Sequence, residues 1–109
     1  MAETFINKTV ALGNTADTSV YSPGSGETAI IIHAQVANVD ETNAADLYMD
    51  LYDTSTTTAA ALAHKISVPI ASAILPIGGK LILETTDQLR AWAGASSDLE
   101  LTLGILVLT

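Results

Sequence analysis

The sequence predicts an all-β chain, an antiparallel β-sandwich of about eight strands of jelly-roll or immunoglobulin-like type. Three observations predict it. Turn signals recur at short intervals along the 109 residues. The stretches between them alternate apolar and polar residues at the period of two expected of half-buried strands. The apolar content is high, 49%, but only 5% of residues are aromatic, so the core is expected to be built of Ile, Leu, Val and Ala.

Taken in order, Phe5 to Leu12 and Thr18 to Ser22 read as short strands separated by the turn signal Gly13-Asn14. Residues 1–12 are also a candidate extended arm, because they precede the first clear turn. Ala29 to Ala37 follows Pro23-Gly24-Ser25-Gly26 and reads as a central strand. Strict alternation places Ile30, Ile32, Ala34 and Val36 on one face and Ile31, His33, Gln35 and Ala37 on the other.

Asn43 to Tyr52 fits either a helix capped by Asn43 or a strand with Leu47, Met49 and Leu51 inside. Ala59 to Ile66 has helix-forming alanines, yet Leu62, His64, Ile66 and Val68 alternate before Pro69 ends regular pairing. Both are assigned as strands, since a lone helix needs an apolar seat of its own among β neighbours. Lys80 to Glu84 and Gln88 to Ala93 read as a hairpin about Thr85-Thr86-Asp87. Leu99 to Leu108 is the clearest strand, with Leu99, Leu101, Leu103, Ile105 and Val107 facing the core.

A chain of this length forms one domain, 1–109. Twelve acidic against four basic residues give a net charge of −8, which repels phosphate backbones and anionic headgroups, so neither nucleic acid nor a membrane is an expected partner. There is no cysteine, hence no disulfide and no thiolate chemistry. Residues 1–10 carry no apolar signal-peptide core, and no apolar run is long enough to span a bilayer, which predicts a soluble chain made in the cytoplasm. Charged residues are only 15%, leaving a neutral Ser/Thr/Ala-rich surface that suits contact with other subunits.

No catalytic constellation stands in the sequence, and no enzymatic activity is expected. His33 and His64 stand in no ligand motif. Asp40, Glu41, Asn43 and Asp46 make an oxygen-rich loop, but it lacks an EF-hand's glycine, and Leu51 stands where the bidentate acid belongs. Asp50 and Asp53 read as outward strand residues without a third acid. Gly24-Ser25-Gly26 is a turn and not a nucleophile elbow, and Gly78-Gly79-Lys80 lacks phosphate-loop spacing. Catalytic, cofactor and metal residues are therefore none.

The residues that stand out are candidates for contact. Trp92 and Arg90 fall on what should be the outer face of their strand, and both types are enriched at interface centres. Leu106 and Leu108 are apolar on the face opposite Ile105 and Val107, and Ile31 does the same for the central strand, so these strands need cover on both sides. Ile31, Arg90, Trp92, Leu106 and Leu108 are thus the predicted interface residues.

The run Thr18-Ser19-Val20-Tyr21-Ser22-Pro23, with Thr28-Ala29-Ile30-Ile31, Ala37-Asn38-Val39-Asp40, Ala44-Ala45-Asp46, Val68-Pro69, Gly79 to Glu84 and Asp87 to Ala91, resembles small β-sandwich virion proteins of tailed bacteriophages. Thr86 departs from that pattern, standing where a glycine is expected before Asp87. The resemblance implies a non-enzymatic virion protein, first a head decoration or cement protein binding the major capsid protein at the capsid surface as a homotrimer. A neck, tail or fibre-attachment protein is the second expectation. A carbohydrate-binding module using Trp92, Tyr21, Tyr48 and Tyr52 is the third, from a different class.

Overall fold

The computed structural model describes residues 2–109. It contains β1 (Glu3–Ala11), β2 (Ser19–Tyr21), β3 (Thr28–Asn38), β4 (Ala45–Asp53), β5 (Thr58–Val68), β6 (Ala73–Ile74), β7 (Leu81–Leu83), β8 (Gln88–Ala93) and β9 (Leu99–Leu108). Both ambiguous segments are strands, and β5 ends at Val68, immediately before Pro69.

The strands form two antiparallel sheets. Sheet A runs β1-β9-β3-β6 with β7 also on β3, and sheet B runs β2-β8-β4-β5. First pairs with last, second with second-last, β3 with β6 and β7, and β4 with β5. The chain is therefore one long hairpin folded about the β4–β5 turn and rolled so that successive rungs fall in alternate sheets. That order is a jelly roll, and the immunoglobulin-like order is excluded.

One expected pairing is different. Lys80 to Glu84 and Gln88 to Ala93 do not form a hairpin: β7 pairs with β3 in sheet A, while β8 pairs with β2 and β4 in sheet B. The turn at Thr85-Thr86-Asp87 is real, but it carries the chain between layers. Asp87 N–H donates to the Glu84 carbonyl at 3.0 Å, and Asp87 Oδ2 accepts from Glu84 N–H at 3.0 Å.

Thr86 in this turn has φ 69°, a left-handed conformation that a β-branched residue adopts only at a cost of about 1–2 kcal/mol. That is the physical content of the glycine expected there. Thr86→Gly removes the strain and adds about 0.5–1 kcal/mol of unfolded-chain entropy. Its net result should be a stabilisation of up to about 1 kcal/mol, read as a higher urea midpoint at unchanged slope; a lower midpoint would refute the strain.

β3 corrects the face assignment of the central strand. Its register on β9 shifts between Ile31 and His33, a bulge that reverses the alternation. Ala29 and Ile31 point inward before it and Ala34, Val36 and Asn38 after it, whereas Ile32 and His33 are both exposed. Strict alternation had placed Ile31 on the face opposite Ala34.

The core is made of Leu12, Ile31, Val36, Leu47, Met49, Val68, Leu83, Leu89 and, from β9, Leu99, Leu101, Leu103 and Ile105, all fully buried. Among the described residues no aromatic ring is fully buried in it, and Tyr21 packs against its margin. The buried amide of Asn38 ties three segments at one end of the sandwich. Its Nδ2 donates to the carbonyls of Asn43 and Val68, each at 3.0 Å, and its Oδ1 accepts from Asp40 N–H at 2.8 Å.

Candidate interaction surfaces

With the core filled by one face of each sheet, the two outer faces hold the candidate functional residues. On sheet A, the registers place Phe5 opposite Leu106, Leu106 opposite Ile30, and Ile30 opposite Ile82. These four form an apolar row across β1, β9, β3 and β7, with Phe5 70% and Ile82 59% exposed. Leu108 extends the row on one side, paired with Glu3 and Thr28. On the other side Ile32 reaches over Gly104, whose absent Cβ would stand 3.6 Å from the isoleucine's Cγ1. A sheet that faced water would carry polar residues here.

Leu106 and Leu108 thus lie on the outer face, half-buried. Ile31 does not: it is fully buried between the sheets, its neighbours Ile30 and Ile32 turn outward by plain alternation, and the bulge reverses the facing only from His33 onward. Sequence reasoning missed Phe5 and Ile82, since nothing but strand pairing brings them into one row.

On sheet B, Arg90 and Trp92 alternate outward along β8, both half-buried. Their cross-strand partners on β4 are Asp50 and Tyr48. Trp92 and Tyr48 stack with centroids 5.5 Å apart and planes 1° from parallel, and His64 of β5 meets Tyr48 at 5.5 Å and 83°. Arg90 clamps Asp50 with two bonds, Nε to Oδ1 at 2.7 Å and a terminal nitrogen to Oδ2 at 3.0 Å. Its guanidinium also sits 4.6 Å from the ring centroid of Tyr52. The Asp50 hydrogen bond holds the Arg90 pKa above its ordinary value, against the opposing effect of burial. Asp50 lies on the outer face as expected, yet it is buried there, with Tyr48 and Tyr52 on either side along β4 and Arg90 across the strand.

No protein-family model and no curated protein matches the chain. Among solved structures, it is similar to a pentameric capsid protein isolated from metagenomic phage sequences, with TM-score 0.47 and 20% identity over 94% of this chain and 60% of that one. A second determination of a pentameric capsid protein from metagenomic phage sequences gives 0.46 and 20%, over 94% and 59%. The infectious bursal disease virus VP2 subviral particle gives 0.44 and 15%, over 96% of this chain and 32% of that one. The chain thus spans less than two thirds of each.

The remaining candidates are dispersed. His33 lies exposed on sheet A, in the opposite sheet from His64. Tyr21 sits on β2, where burial and the nearby Glu27 charge raise its pKa. In the acidic loop, Asp40 Oδ1 accepts from Thr42 N–H at 2.8 Å, and backbone bonds of this kind lower the Asp40 pKa. The Ser55 hydroxyl, donating to Asp53 Oδ1 at 2.7 Å, lowers the Asp53 pKa. These oxygens serve their own turns, and among the described residues no group of three His, Cys, Asp or Glu side chains is placed to hold a metal ion. A chelator should therefore leave the melting temperature unchanged; a drop of several degrees would reveal an ion in the Asp40–Asp46 loop.

Proposed function

We propose that this chain is a structural protein of a tailed-bacteriophage virion, a capsid decoration or cement protein bound to the major capsid protein. Its copies group in threes on the shell, at the local three-fold junctions where one small protein can bridge several capsomers, and it performs no catalysis. The observation that carries the proposal is the outward apolar row Phe5, Leu106, Ile30 and Ile82 on sheet A. A row with such exposed ends is the feature that a monomer rarely keeps and an assembled surface buries. The jelly roll is an architecture that viral capsid domains use, though lectins and cupins use it too. Grouping in threes lets weak individual contacts add through effective concentration.

Purified heads stripped of the protein and then supplied with it test the proposal. Stripped heads should lose resistance to heat or osmotic shock and regain it on addition, with copies numbering in the hundreds. Unchanged resistance, or a handful of copies per particle, would favour the neck, tail or fibre-attachment reading. The sugar-binding reading finds less support, because the sheet B aromatics are engaged with one another: Trp92 lies against Tyr48, and Tyr52 against Arg90. A sugar platform needs ring faces free to receive the ligand.

A further inference from the structure

Sheet edges with open backbone groups invite pairing, and proteins guard them by shortness, bulges, proline or charge. The outer edges of this sandwich differ sharply in that respect. β2, β6 and β7 are no more than three residues long. β5 is long but pairs with β4 through two register irregularities and holds Lys65 at φ 54°. β1 is guarded by charge alone. It runs nine residues without a bulge or proline, paired only with β9. Its single lysine, Lys8, stands opposite Leu103 on the inner side of the sheet, an inward charge that guards the C-terminal half of the strand and leaves residues 3–7 the more open stretch. Within the candidate extended arm, Glu3–Ala11 is thus a regular strand with one edge open.

The hydrogen-bond phase shows which groups that edge offers. Ala2 and Thr109 exchange both of their backbone bonds, Ala2 N–H to Thr109 at 3.2 Å and Thr109 N–H to Ala2 at 2.9 Å, and Leu12 N–H donates to Leu99 at 2.9 Å. Even-numbered residues thus turn N–H and C=O toward β9. By alternation, Glu3, Phe5, Asn7, Thr9 and Ala11 turn theirs outward.

We propose that this edge pairs with the same edge of a second copy, antiparallel about a two-fold axis at Phe5. A two-fold normal to the sheet keeps outer faces together and pairs odd residues with odd, which is the set whose backbone groups are free. Phe5 then faces Phe5 of the second copy, and Glu3 faces its Asn7. Thr4 faces its Ile6 on the inner side. No like charges stand opposite each other, and an edge with one acid and one base is neutral in a chain of net charge −8. The apolar row Ile82, Ile30, Leu106, Phe5 continues into its counterpart without a break. Centring the axis on Asn7 instead would bring the two Lys8 side chains into diagonal proximity, which disfavours that register.

The pairing uses an edge and leaves the apolar face of sheet A free, so it holds whether or not the chain decorates heads. On a shell it would join neighbouring groups of three. Asn7→Pro tests it, because the Asn7 N–H points to the open edge and the β1–β9 ladder does not use it. Sedimentation should find wild type as a dimer and Asn7→Pro as a folded monomer with little change in melting temperature. In this cysteine-free chain, Phe5→Cys should cross-link to a dimer with a short bismaleimide, while Thr9→Cys should not; this decides the matter should Asn7→Pro fail to fold. A wild-type monomer at the highest attainable concentration, an oligomer untouched by Asn7→Pro, or a Phe5→Cys chain that stays uncoupled would overturn the pairing. Heads still protected by monomeric Asn7→Pro would keep the capsid reading separate, and a dimer that never binds heads would sink that reading alone.

Discussion

Leu103→Asp is expected to unfold the protein. Leu103 is fully buried on β9, the strand that lies between β1 and β3, and it faces Ala34 and Lys8 in register. β9 is hydrogen-bonded on both edges, so it has no room to turn the new side chain outward without losing two ladders. A one-residue slip would send Leu99, Leu101, Ile105 and Val107 to the solvent face together with the aspartate. The one cation in register is Lys8, exposed on the edge strand, and its pairing does not repay the desolvation of a carboxylate at a fully buried position, so the carboxylate is buried at a net cost or takes up a proton. With the lost leucine packing, the cost is about 4–5 kcal/mol or more, comparable to the whole stability of a small domain. Circular dichroism and a melting scan check it. A cooperative transition at the wild-type temperature would show that Leu103 does not face a packed core.

That strand was fully legible from sequence because nothing interrupts its alternation over Leu99 to Leu108. β3 was legible in extent but not in facing. Ile30, Ile31 and Ile32 are chemically alike, so no local pattern reveals where the bulge reverses the facing. The β7–β8 connection failed for a related reason. A polar turn between two apolar runs looks the same whether it closes a hairpin or crosses between layers, and only the pairing of β7 with β3 decides it. Thr86 did leave a trace, since a glycine was expected at the position that proves to have positive φ. The contact surfaces were half legible. Leu106, Leu108, Arg90 and Trp92 showed themselves by residue type and alternation, whereas their partners Phe5, Ile82, Asp50 and Tyr48 lie far off in sequence and meet them only through register.

Arg90 carries the second large effect. The side chains of Arg90 and Asp50 are only 13% and 12% exposed, and their two short bonds lie directly across β8 and β4. An exposed ion pair would contribute about 0–1 kcal/mol, but truncating one partner of a buried pair strands the other charge. Arg90→Ala leaves the Asp50 carboxylate enclosed beside Tyr52 and strips the guanidinium from that ring. The second acid near Arg90, Asp17 at 3.6 Å, is exposed and is a further negative charge, so it does nothing to replace the lost cation. A loss of about 3 kcal/mol is expected, read as a lower urea midpoint at unchanged slope. The double variant Asp50→Leu with Arg90→Leu removes both charges and keeps apolar volume between Tyr48, Trp92 and Tyr52, so it should recover most of that loss. Recovery would identify the clamp as a device for register and orientation on sheet B, since an apolar pair supplies comparable stability without fixing which residues face each other. A single-variant loss below about 0.5 kcal/mol would instead mean that water reaches Asp50 freely and that the pair behaves like any surface contact.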